Sequence, residues 1–295
     1  MDKYQRIDFR DQISRNKWKS IFLMITIFVV LVVLGYVISM AFAPEYFFLI
    51  MIIAIIFSIS YILISYYNSD KIAIASVRAK KALREQYKKF YDAVEGLSIA
   101  SGMPMPKLYI MPSQQINAFA SGRDPKNSVI CITQGAFDKL DKNELEGVIA
   151  HELGHIANYD IRYMTLVAVM VGMIAIISEI FLRSLWFSGG GSKDNKNAIF
   201  IIIGIAMAIL APIVVYLVQM AISRKREFSA DASSVKFTRY PQGLIRALKK
   251  IKQDNVPSEK KVSKAIAPLF FANPFRNIGS THPPIEKRIE VLERM

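Results

Sequence analysis

An α+β membrane protein, with four transmembrane helices and a mainly helical water-facing domain containing a small β-sheet, is the fold class predicted by this sequence of 295 residues. Three observations predict it. First, the chain is 53% hydrophobic with a mean hydropathy of +0.28, yet it carries a net charge of +14. That pairing suits a membrane protein whose polar parts lie to one side. A soluble nucleic-acid binder shares the charge but not the long apolar runs, so the lipid bilayer is expected as a partner and nucleic acid is not. Second, four stretches are long enough to cross about 30 Å of hydrocarbon, which takes about 20 helical residues. Third, short alternating apolar runs fall between the second and third of these stretches, where a sheet belongs.

The spans are expected at about 21–43, 46–67, 161–182 and 198–221. Only Pro44 and Glu45 separate the first two, which predicts a tight helical hairpin. The first is too long for a signal peptide, lacks a small-residue cleavage site and is followed at once by another span, so it is read as retained. Six Lys and Arg lie in the first twenty residues and seven more between Lys71 and Lys89, whereas the two hairpin tips are poor in them. By the positive-inside bias, both termini and the long middle segment face the cytoplasm. The chain thus divides into an N-terminal tail and hairpin (1–70), a first water-facing part (71–160), a second hairpin (161–221) and a second water-facing part (222–295). Pro212 is tolerable as a kink in the fourth span, and the glycines at 189–191 read as a flexible outer loop.

Between the hairpins, Lys71 to about Ile99 has helical periodicity and reads as a helix leaving the membrane. KLYIM (107–111), INAFA (116–120) and SVICIT (128–133) read as strands, antiparallel in part, with SGRDPKN as the turn joining the last two. The single cysteine, Cys131, lies in an alternating run as a small core residue, and it precludes both a disulfide framework and a cysteine zinc cluster.

A helix is then expected over 141–160, because Asp141 followed three residues later by Glu144 has the form of a capping box. It carries the segment AHELGHIANYD. His151 and His155 are one turn apart, so both imidazoles leave one face and can grip one ion. Glu152, rotated by about 100°, can reach a water beside that ion without ligating it. H-E-x-x-H is the pattern of a zinc site in which the glutamate is general base. Helical histidines with no ligand role are the plainer account of such a pentapeptide.

A catalytic zinc takes a third protein ligand and keeps one open position. The candidates are Asp160, Glu227, Asp231 and His282. Asp160, five positions after His155, turns away from the metal-facing side and reads as the start of the turn into the third span. Glu227 and Asp231 lie one turn apart on SRKREFSADAS, an arrangement suited to a ligand and a carboxylate that orients a histidine. His155 and Glu227 meet only if the chain crosses the bilayer an even number of times between them, and hydropathy gives two spans there. His282, before Pro283 and Pro284, fits either a donor to a developing oxyanion or a plain residue at the start of the final helix. Asn117 lies beside a sheet edge that can take an extended substrate backbone, or simply opens a turn.

Together INAFASGRDPKNSVICITQGAF, VIAHELGHIAN, SRKREFSADA, FFANPF and STHPPIEKRI resemble, in that order and over nearly the whole chain, the HtpX family of integral-membrane zinc metalloproteases. The resemblance implies a zincin-like cytoplasmic protease domain and one Zn2+ per subunit, held by His151, His155 and Glu227. It further implies Glu152 activating water, Asp231 supporting a ligand, polypeptide substrates and a role in quality control of membrane proteins. The related prenyl-protein CAAX proteases carry seven spans, and four here argue against that branch. A binding protein with a purely structural zinc is one rival. A transporter is another, suggested by Arg162, Glu179 and Gln219 near the spans.

Overall fold

The computed structural model describes residues 9–42, 44–168, 224–254, 269–272 and 283–295. Its first helix, α1, spans Phe9–Phe42; a 3-10 turn at Pro44–Tyr46 leads into α2, Phe47–Tyr67. The expected tight hairpin is therefore present, and α1 starts twelve residues before the apolar run at Ile21. Both helices are long and apolar enough to cross a membrane, over Asn16–Val33 and Phe47–Tyr67. Along α2 only Ser58 and Ser65 are buried, and Phe48 is 81% exposed. A helix apolar all round and left uncovered needs lipid rather than water as its solvent. The predicted third and fourth spans lie outside the described residues except for helical backbone over 160–168, designated α7.

The single helix expected over 71–99 is not formed. Instead α3 (Ser69–Ser76) stops two residues before Arg78, whose φ is +54°, and the chain then enters a short strand β1, Lys80–Lys81, before α4 at Lys88–Ser101. Backbone pairing of β1 with Ile110 and Tyr109, extended by Ala82 N–H donating to Leu108 O at 3.0 Å, outcompetes local helical periodicity.

The sheet has the order β1-β2-β4-β3, with β2 at Lys107–Met111, β3 at Ala118–Asp124 and β4 at Asn127–Thr133. It is mixed. β3 and β4 form an antiparallel hairpin and β4 runs parallel to β2. The expected seven-residue turn shrinks to Pro125–Lys126, because residues 121–124 continue the strand to a bulge near Gly122 and Asp124. Cys131 is buried in β4, as expected.

After α5 (Gln134–Lys139), helix α6 (Lys142–Ala157) begins with the predicted capping box: Asp141 Oδ1 accepts from Glu144 N–H at 2.9 Å, and Glu144 Oε2 accepts from Asp141 N–H at 2.8 Å. Almost all of α6 from Glu144 to Ile156 is buried. It runs through the centre of the core, between the sheet and three further helices: α4, α8 (Arg224–Thr238) and α9 (Pro241–Gln253). Close packing depends on two glycines of α6. A methyl group at Gly154 would lie 2.8 Å from Ser233 Cβ, and one at Gly147 would lie 2.6 Å from Leu244 N. The last helix, α10 (Ile285–Leu292), packs on α8 and α9. The basic face of α9 is met by carboxylates, including Lys250 with Glu144 at 2.6 Å and Lys252 with Glu286 at 2.8 Å.

Candidate active site

Helix α6 sends His151 and His155 from one face, and α8 brings Glu227 to the same point. His151 Nε2 and His155 Nε2 are 3.2 Å apart. Glu227 Oε2 is 3.8 Å from the first and Oε1 3.6 Å from the second. One ligand atom from each residue falls within 4.8 Å of the others, and all three residues are buried. Two nitrogens at about 2.0–2.1 Å from one tetrahedral zinc lie roughly 3.3 Å apart, so the spacing of the ring nitrogens fits a shared ion.

The remaining ring nitrogens are held in place. His151 Nδ1 meets Asp231 Oδ1 at 2.9 Å, and His155 Nδ1 meets Asp160 Oδ2 at 3.1 Å. Carboxylates in these positions fix the tautomer that leaves Nε2 free for an ion. Asp231, placed by α8 one turn beyond Glu227, thus supports His151. Asp160 starts α7 and is not one of the three converging residues, but the turn at Asn158–Tyr159, where Tyr159 has φ +58°, brings its carboxylate to the far nitrogen of His155, a contact the sequence did not suggest because the helix ends at Ala157.

Two groups absent from the sequence reading complete the surroundings. Arg288 of α10 donates from Nε to Asp231 Oδ2 at 3.0 Å and from Nη2 to Asp231 Oδ1 at 2.7 Å, and its Nη1 lies 3.5 Å from Glu227 Oε2. Its signal was legible: Ile285, Arg288, Ile289 and Leu292 share one helix face, and a cation at a core position needs a buried partner. Asn16 of α1 donates from Nδ2 to Asp160 Oδ1 at 2.7 Å and to Asn158 O at 2.9 Å. An asparagine in a basic tail carries no comparable signal.

Glu152 faces the edge of β3, where Ala120 N–H donates to its carboxylate. Burial pushes its carboxyl up to about 7, against the opposing charge of His155. Oε1 has no hydrogen-bond partner among the described residues, as suits a group that meets water or substrate. Burial pulls the His151 imidazole down to about 4, and the Arg288 charge adds to this. Burial acts the same way on His155, but Asp160 and Glu227 outweigh it and raise that imidazole to about 9. Asp231 is held below the usual carboxylate range because Arg288 and His151 outweigh its burial. Two buried imidazoles and one buried carboxylate that converge on a point form a donor set that suits a dication.

Asn117 is engaged by the chain itself. Its Nδ2 donates to Ala272 O at 2.8 Å, and its Oδ1 accepts from Ala272 N–H at 3.1 Å. Phe271 N–H donates to Ala118 O at 2.8 Å, Phe270 bridges Phe119, and the Phe271 ring lies 4.8 Å from the His151 ring. Residues 269–272 therefore lie antiparallel along the outer edge of β3. His282 lies outside the described residues, as do Glu179 and Gln219. Arg162 donates to Arg123 O at 2.7 Å and faces the Tyr66 and Tyr159 rings, an ordinary structural setting.

Comparison with known proteins agrees with this geometry. The family model described as peptidase family M48 matches residues 84–295. A Protease HtpX homolog of Dictyoglomus thermophilum is 40% identical over 291 residues, covering 97% of this chain and 95% of that protein. Another, from Caldanaerobacter subterraneus subsp. tengcongensis, is 44% identical over 248 residues, covering 81% and 83%. The crystal structure of S. mikatae Ste24p shares the fold with a TM-score of 0.50 at 19% identity, over 96% of this chain and 66% of that one. The buried pair of histidines and its glutamate thus sit in a chain that belongs to the HtpX proteases of peptidase family M48, a family of metalloproteases.

Proposed function

We propose that the protein is a zinc endopeptidase of the membrane surface, cutting misfolded or damaged membrane proteins on the cytoplasmic side in quality control. The observation that carries this reading is the convergence of His151, His155 and Glu227, each imidazole backed by its own carboxylate. Zinc, when bound there, supplies Lewis acidity that polarises a carbonyl and acidifies water. Glu152 takes the proton of the attacking water; its raised pKa and an Oε1 without a hydrogen-bond partner among the described residues suit a general base working near neutral pH. Asp231 and Asp160 keep the two imidazoles aimed. His282 donates to the oxyanion.

The substrate pairs with β3 as an extended strand in the place that residues 269–272 take, through backbone hydrogen bonds that read little side-chain identity. The hydrogen bonds that 269–272 makes to Asn117 and Ala118 supply the pattern: an amide N–H to Asn117 Oδ1 and another to Ala118 O. The meeting of α6 with α8 supports the topology, since the start of α7 at Asp160 and the first turn of α8 at Arg226 lie beside one site. An even number of crossings between them, with the Lys and Arg bias, keeps both termini and the site cytoplasmic in a multi-pass protein.

The test is zinc content and casein cleavage of the purified full-length chain, with and without a chelator. One zinc per chain and cleavage that chelation stops and zinc restores are expected. Zinc that is tightly held while cleavage is absent in every preparation would instead favour a structural ion.

A further inference from the structure

Two chains of hydrogen bonds lead away from the ligand pair, and they end differently. His151 leads to Asp231 and then to Arg288, both within the water-facing domain. His155 leads to Asp160 and then to Asn16, which stands at the start of the apolar window of α1. Asn16 is 3% exposed, and both of its Nδ2 hydrogens are used, on Asp160 Oδ1 and on Asn158 O. The two acceptors bracket Tyr159, the left-handed residue that turns the chain out of α6. Ser20 Oγ donates to Asn16 O at 2.8 Å, and Lys17 Nζ lies 4.7 Å over the Tyr159 ring, so one face of α1 is fitted to this turn.

We propose that Asn16 is a positioning residue of the metal centre, through which the first membrane helix sets the aim of His155. The physical argument is one of rotamers. Asp160 serves His155 only in the orientation that points Oδ2 at Nδ1. Oδ1 must then face something that rewards that orientation. The Asn16 amide does so directly at 2.7 Å, whereas the Arg226 guanidinium stands 3.6 Å away at Nε. Without the amide, Asp160 can turn toward Arg226. The imidazole then loses its preferred tautomer and orientation. Partners of this kind behind a metal ligand are worth tenfold to a hundredfold in metal affinity. The water-facing half of the site is thereby tied to a helix of the bilayer, and displacement of α1 changes zinc retention.

This inference rests on the metal reading above, and one titration separates the two. Zinc affinity of the full-length protein in detergent micelles is measured by competition with a chromophoric chelator, for the wild type, Asn16→Ala, Asn16→Leu, Lys17→Ala, Asp160→Ala and the double variant Asn16→Ala/Asp160→Ala. Asn16→Leu keeps the branched shape while removing the donor, and it carries the test if Asn16→Ala does not fold. Zinc dissociation constants about 10- to 100-fold above wild type are expected for both Asn16 variants. Lys17→Ala, which loosens the same turn without touching Asp160, stays within about twofold of wild type, and the double variant is no weaker than Asp160→Ala alone. Wild-type affinity in Asn16→Leu, an equal loss in Lys17→Ala, or losses that add in the double variant would each overturn the proposal. A wild type that binds no zinc overturns the metal reading itself.

Discussion

Arg288 and Asp231 form a buried two-point pair, with guanidinium nitrogens 3.0 and 2.7 Å from the two carboxylate oxygens. Neither charge reaches water, so removing one strands the other. Asp231→Ala is expected to destabilise the protein by about 3–5 kcal/mol and to weaken zinc binding about 10- to 100-fold. Adding Arg288→Met removes the stranded charge and restores most of the stability but not the zinc affinity. Thermal melts in detergent with and without chelator separate the two effects.

Glu152→Gln keeps the shape of the side chain and removes its basicity. Zinc content is expected to stay at the wild-type level, while casein cleavage falls about 10²- to 10⁴-fold, the range for loss of a general base. Cleavage at the wild-type rate would place the base elsewhere.

Gly154 sets the approach of the histidine helix to the glutamate helix. Gly154→Ala puts a methyl group 2.8 Å from Ser233 Cβ and 3.2 Å from Ala230 Cα. Backbone there cannot yield cheaply, so a loss of about 1–3 kcal/mol is expected. Because the same displacement moves Glu227 off the imidazoles, zinc affinity falls with it, which a chelator titration reads.

Cys131 is buried in β4, and burial pushes its thiol well above the usual range. The thiolate is therefore absent at pH 7 and still absent at pH 9, where an exposed cysteine is largely ionised. Iodoacetamide is expected to leave the native protein unmodified at both values and to label one thiol per chain after denaturation.

Asn117 ties the segment 269–272 to the sheet edge. Asn117→Ala is expected to lower peptidase activity with zinc content unchanged, since an extended chain bonding this edge loses its acceptor. Unchanged kcat and KM would remove Asn117 from substrate binding.

The parts legible in the sequence are those governed by short spacings. The His151–His155 pair needs only the pitch of one helix, the capping box only Asp141 and Glu144, and the α1–α2 hairpin only the length of two apolar runs. The expected continuous helix over 71–99 failed for the opposite reason: Lys80 and Lys81 are claimed by β2, a partner that helical periodicity does not register. The contact of Asp160 with the far nitrogen of His155 was not legible, because it follows from where α6 stops and not from its distance along an ideal helix.

By itself, then, the sequence determined the helix that bears the imidazoles, its start, the glutamate beside the first of them and the apolar lengths that need lipid. Only the tertiary structure decided that Asn16, 144 residues before Asp160, and Arg288, 137 residues after His151, stand behind the ligands. Only it decided that 269–272 lies along β3. The reason is that a periodic pattern encodes which face of an element is buried but not which distant group meets it. That choice belongs to the packing of whole helices and strands, where glycines at 147 and 154 allow the approach and buried charges admit few partners.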